Sequence, residues 1–130
     1  MKEEMLNVFD SFSKEMNEWE VSYYNSRQND RSGDKTSFRE KLDAIFNKYC
    51  TSKERKYGRQ VAMSVSFPPD YDPENDEILD VEVIKNKATV IVQKHTGFKN
   101  KYRYTLHFKN NEWRIDKKEW SDDKWKQDYL

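Results

Sequence analysis

Cysteine is almost missing. Cys50 is the one thiol in 130 residues, so no intrachain disulfide can form, and with no ligand residues beside it no thiolate metal site is expected. Its plain reading is a small side chain near the end of a helix. Histidine is scarce too, with only His95 and His107, and there is no Gly-rich phosphate loop, HExxH, CxxC or GxSxG. The expectation is a protein without cofactor, without metal and without catalysis. Long apolar runs are also lacking: the opening MKEEMLNVFDSF breaks its apolar positions with acids, unlike a signal peptide, and no stretch reaches membrane-spanning length. That points to a cytoplasmic protein with no membrane partner. Net charge is absent as well, because 24 Lys and Arg balance 24 Asp and Glu, and a neutral molecule has no overall field to draw it to nucleic acid.

What the chain has in quantity is charge and aromatic surface. Charged residues make up 37%, hydrophobic residues 35% and aromatic residues 15%. Disordered chains are poor in aromatics, so this one is expected to fold. Its length suits one domain with a modest core, spanning residues 1–130.

Met5, Phe9, Phe12, Met16, Trp19 and Tyr23 recur at spacings of four and three, which predicts a long amphipathic helix over residues 3–24. Residues 25–34 contain no apolar side chain and end in Gly33-Asp34, which predicts a loop. Ser37 with Glu40 three residues later reads as a capping box opening a second helix over 37–50, with Phe38, Leu42, Ile45, Phe46 and Tyr49 on its buried face. The basic run from Lys53 to Arg59, around Gly58, is expected to close that helical region.

Beyond Gly58 the period becomes two. Val61, Met63, Val65 and Phe67 read as a first strand; residues 78–85, 87–95, 101–109 and 112–120 read as a meander joined at Asn86-Lys87, Gly97 to Asn100 and Asn110-Asn111. Tyr102, Tyr104, Leu106 and Phe108 share one strand face, and Trp113 and Ile115 join them in lining the core or a pocket, while Arg103, Thr105, His107 and Lys109 face water. Residues 122–129 read as a closing helix. Helices gathered on one side of a largely antiparallel sheet make an α+β domain.

Charge is unevenly placed. Seven acids and no base lie between Asp70 and Glu82, whereas Val83 to Asn111 carries bases and no acid. The strands' solvated faces would then attract one another across the ladder. The proline-containing segment 68–77 reads as a loop, with Tyr71 exposed at its centre. Lys94, Lys99, Lys101 and Arg103 interleave with Phe98, Tyr102 and Tyr104 as in single-strand binding sheets, but those tyrosines are needed by the core, so nucleic acid is not the expected partner. His107 reads as a solvated strand residue. His95 reads as a turn residue ahead of its alternative, a base paired with an acid such as Asp116.

The stretch HTGFKNKYRYTLHFKNNEWRIDKKEW, from His95 to Trp120, with the closing DDKWKQDYL, resembles the NTF2-fold immunity proteins of bacterial polymorphic toxin systems. The resemblance implies an NTF2-like cone, with N-terminal helices packed on a curved sheet around a pocket, whose job is to bind and neutralise one cognate toxin. The alternative within that fold is a small-molecule-binding protein or an isomerase- or dehydratase-type enzyme using the pocket. Self-pairing is left open. A toxin-facing surface is expected at Asp70, Tyr71, Asp72, Glu74 and Asp76, with Tyr71 as apolar anchor and the carboxylates steering a basic toxin; the competing reading is a solvated connection.

Overall fold

The computed structural model describes residues 2–30, 33–53, 55, 63, 65 and 67–130. The four-and-three spacing of the first segment becomes α1, Lys2–Asn29, whose buried stripe holds Met5, Phe9, Phe12, Met16, Trp19 and Tyr23. The helix runs further than its apolar residues do. Asn25 to Asn29 were expected in a loop, but they include neither glycine nor proline, so backbone hydrogen bonding continues and the Asp30 N–H still donates to the Ser26 carbonyl at 2.9 Å.

The second helix, α2, spans Thr36–Tyr49 and buries Leu42, Ile45, Phe46 and Tyr49. The expected capping box does not form, because Ser37 already lies inside the helix and the capping position falls on Lys35. Asp34 instead accepts from the N–H and the hydroxyl of Thr36 at 2.9 and 2.6 Å. The end of α2 is held by Arg114, which donates to the carbonyls of Asn47 and Cys50 at 2.7 and 2.9 Å, satisfying groups the helix itself leaves open. Cys50 and Thr51 then run extended beside Ile115. Lys53 and Arg55 of the basic run are not helical, and the rest of that run, Gly58 included, lies outside the described residues.

The sheet is a five-stranded antiparallel meander in the order β1 (Glu77–Ile84), β2 (Lys87–Gln93), β3 (Lys101–Lys109), β4 (Glu112–Asp122) and β5 (Lys124–Asp128). Asn110 and Asn111 both adopt positive φ, at 55° and 63°, the geometry a two-residue hairpin requires.

Two expectations fail here. Met63, Val65 and Phe67 are not in a strand, and Val61 lies outside the described residues. Met63 and Val65 pack on the core as irregular chain, while Phe67, leading into two prolines that cannot donate to a ladder, is 70% exposed. Nor do residues 122–129 form a helix. Asp123 turns the chain at φ 63°, and Trp125 pairs back with Ser121 and Lys126 with Trp120; so short a segment gains more by filling the open edge of β4 than by nucleating a helix alone.

Both helices pack on one face of the curved sheet. Ala88, Val90, Val92, Tyr104, Leu106, Trp113 and Ile115 meet the α1 and α2 stripes there. Midway along β4 the register slips: Leu106 pairs with Ile115 but Thr105 with Lys117, leaving Asp116 as an extra residue. This bulge reverses which side chains point inward. Trp113 and Ile115 face the helices before it, and Lys118 does so after it, opposite Tyr104.

Candidate functional site

The acidic loop is anchored from within. Tyr71 is 1% exposed and packs edge-on against Phe12, with ring centroids 5.4 Å apart, so the expectation of an exposed anchor is overturned. Hydrophobicity explains the reversal: a large ring gains more from the gap between α1 and the sheet than from a solvated loop tip. Glu20 of α1, itself buried, accepts the N–H groups of Asp70 and Tyr71 at 2.9 Å each. Asn17 donates to the Tyr71 carbonyl at 2.7 Å.

The far end of the loop is pinned just beyond the end of β2. Lys94, buried, lies 2.7 Å from the Asp76 carboxylate and donates to the Asp70 carbonyl at 2.6 Å. Burial pushes the Asp76 carboxyl above its ordinary value, and the Lys94 ammonium only partly opposes this. Asp72 and Asp76 close a turn in which the Asp76 N–H donates to the Asp72 carbonyl at 2.8 Å and the Asp72 N–H to the Asp76 carboxylate at 3.1 Å. Asp70, Asp72 and Asp76 end half-buried and Glu74 exposed. The loop is thus a fixed platform with carboxylates along its rim.

Of the residues expected to line a core or pocket, Tyr104, Leu106, Trp113 and Ile115 are buried, and Tyr102 and Phe108 are half-buried at the margin. The space they bound is occupied: Lys118, 3% exposed, sets its ammonium over the rings of Tyr102, Tyr71 and Tyr104 at 4.3, 4.9 and 5.7 Å. Its ammonium is also 3.9 Å from Asp128 of β5. Burial holds the Tyr104 hydroxyl well above its ordinary pKa, so it is neutral. The cavity bounded by Phe9, Asp10, Ser13, Asp76 and Tyr104 measures about 40 Å³, room for a water molecule and not for an organic substrate.

The titratable pairs sit elsewhere. His95 lies 3.0 Å from Glu77, both more than half exposed, and does not meet Asp116. Asp116 projects to the outer face beside His107, at 3.9 Å, with Thr51 at 2.8 Å and Lys53 at 3.1 Å. Burial alone would raise its carboxyl, but the hydrogen bonds from Thr51 and Lys53 outweigh that and hold it below the ordinary value. These groups border an open groove of about 690 Å³ in which Arg114 is engaged with Glu112 and the end of α2, and Arg55 with Thr51. Cys50 is buried, its thiol pushed up to about 12 chiefly by desolvation. Among the described residues no cluster of three or more His, Cys, Asp or Glu is placed to hold a metal ion.

The expected attraction between acidic and basic strand faces takes a different route. Glu82 stands opposite Thr89 and Asp80 opposite Ile91, so the bases of β3 find their partners on β4, where Arg103 grips Glu119 at 3.0 and 3.1 Å.

A family model described as NTF2 fold immunity protein matches residues 4–129. The chain belongs to that family. It is 47% identical over 122 residues to "Immunity protein RhsIA" of Dickeya dadantii (strain 3937), covering 91% of this chain and 90% of that protein. No solved structure matches it significantly. As an NTF2 fold immunity protein the chain has two helices on a curved antiparallel sheet, as the resemblance implied, and an immunity function.

Three residues that build this site escape a reading of the sequence. Glu20 carried a signal: with Met16, Trp19 and Tyr23 it completes the inward stripe of α1. Lys94 also did, continuing the inward series Ala88, Val90 and Val92. Lys118 did not, because the bulge that turns it inward leaves no mark in the alternation.

Proposed function

We propose that this chain acts as one domain in the cytoplasm of a toxin-producing bacterium, where it binds the toxin domain of a polymorphic toxin system and blocks it without chemistry. The observation that carries this reading is the pinned acidic rim. Asp70, Asp72 and Glu74 are displayed from a loop fixed by Tyr71, Glu20 and the pairing of buried Lys94 with Asp76, so presenting them costs little further ordering on binding. Carboxylates held this way attract a basic toxin surface and speed encounter. Tyr71 serves the partner indirectly, by holding the loop.

A non-enzymatic role is supported by the filled interior, where Tyr71 and Lys118 pack among Tyr102 and Tyr104. No helix among the described residues is long and apolar enough to cross a membrane. The test is association kinetics with the toxin domain encoded beside this chain's gene. Asp72→Asn with Glu74→Gln is expected to slow association and flatten its dependence on salt, which screens exposed charges. An unchanged rate at low salt would remove the rim from the interface.

A further inference from the structure

The two edges of the sheet are defended unequally. β5 is five residues long and carries Lys124 and Lys126, the short, lysine-bearing form that discourages added strands. β1 has eight residues, EILDVEVI, with neither lysine nor proline, and among the described residues it pairs with β2 alone. Ile78 is 40% exposed, Leu79 44% and Ile84 59%. An open strand edge presents unpaired N–H and carbonyl groups, and here exposed aliphatic side chains accompany them.

The charges of β1 say what suits it. Glu77, Asp80 and Glu82 are all exposed; Glu77 lies 3.0 Å from His95, and among the described residues Asp80 and Glu82 have no ion-pair partner. Asp80 and Glu82 face the uncharged Ile91 and Thr89, respectively, across the ladder. They continue the acidic rim that begins at Asp72 and Glu74. A second copy of this chain fits poorly, because pairing two β1 edges sets like carboxylates against one another.

We infer that the outer edge of β1 receives a strand of the toxin whose side chains beside Asp80 and Glu82 are lysine or arginine and whose alternate residues are apolar. This rests on the toxin-binding reading above and gives it a mode: main-chain hydrogen bonds supply affinity, and alternating side chains supply selection. The register break between Ile78 and Asp80 limits the regular run to Asp80–Ile84. Val81 and Val83 on the opposite face offer the apolar contacts, and Ile84 extends the face on which the two acids supply the charge.

The experiment uses the full chain with the catalytically silenced toxin domain encoded next to its gene, read by amide exchange and by affinity. Complex formation is expected to slow exchange within residues 80–84. Glu82→Lys with Ile84→Lys is expected to leave the unfolding midpoint unchanged and weaken binding by about tenfold or more. Asp80→Asn with Glu82→Gln, which keeps side-chain size, should weaken it less and mainly through association rate. A complex in which residues 80–84 exchange as in the free chain, or which survives the double lysine variant within about twofold, overturns the edge while leaving toxin binding intact. Absence of any complex overturns both. In sedimentation the free chain is expected to be monomeric; a dimer dissolved by Ile84→Lys would assign the edge to a second copy instead.

Discussion

Replacing Tyr71 by alanine separates an internal peg from a surface anchor. The ring touches Phe12, lies 6.3 Å from Tyr104 and carries the Lys118 ammonium 4.9 Å above it. A fully buried aromatic side chain removes roughly 150–250 Å² from water, worth about 4–6 kcal/mol at about 25 cal/mol per Å². Alanine keeps a little of that and the site collapses in part, so the expected destabilisation is about 3–5 kcal/mol. Denaturant unfolding followed by tryptophan fluorescence measures it directly, with the slope checked for two-state behaviour. An exposed tyrosine at a loop tip gives a different pattern: a stability change within about 0.5 kcal/mol. That small change, accompanied by a large loss of toxin affinity, would refute the anchored loop.

Other outcomes follow from the same packing. Lys94→Met leaves the Asp76 carboxylate buried without its partner and is expected to cost about 3–5 kcal/mol, with part recovered when Asp76→Asn is added; a double-mutant cycle by denaturation checks the coupling. Asp116 is held below its ordinary 3.8 and Glu119, gripped by Arg103, below its ordinary 4.5. Both lend stability that is complete above those unfolded-state values and is lost as pH falls from them through the lower folded values. Asp116→Asn is therefore expected to make the fall in stability below about pH 4 shallower, as measured by unfolding at a series of pH values. Cys50 is expected to resist a thiol reagent in the native chain and to react once denaturant unfolds it, because burial keeps it protonated; rapid labelling of the folded chain would contradict its placement.

The parts legible in the sequence are those whose periodicity is unbroken. The α1 stripe from Met5 to Tyr23, the inward Tyr104 and Leu106 of β3 and the Asn110-Asn111 turn lie where their spacing puts them, whereas Thr105, expected to face water, is buried between its neighbouring strands. Helix ends were less legible, since nothing apolar marks how far α1 continues past Tyr23. The closing strand was misread because Trp125 and Tyr129 also suit a helix, and only the vacant edge of β4 decides between the two. The acidic loop misled for a different reason. Its composition is that of a solvated connection, yet one aromatic side chain, one buried glutamate from α1 and one buried lysine just past β2 convert it into part of the core. Such long-range partners are set by topology, and local composition carries no trace of them.

The most direct test of the central claim is a titration of the toxin domain with this chain, following the toxin's effect as the chain is added. Inhibition by binding predicts a linear decline that ends at equimolar chain, with the two proteins recovered intact as a complex. Neutralisation by a small fraction of an equivalent, or with the toxin chemically altered, would show that the chain turns over and contradict the account.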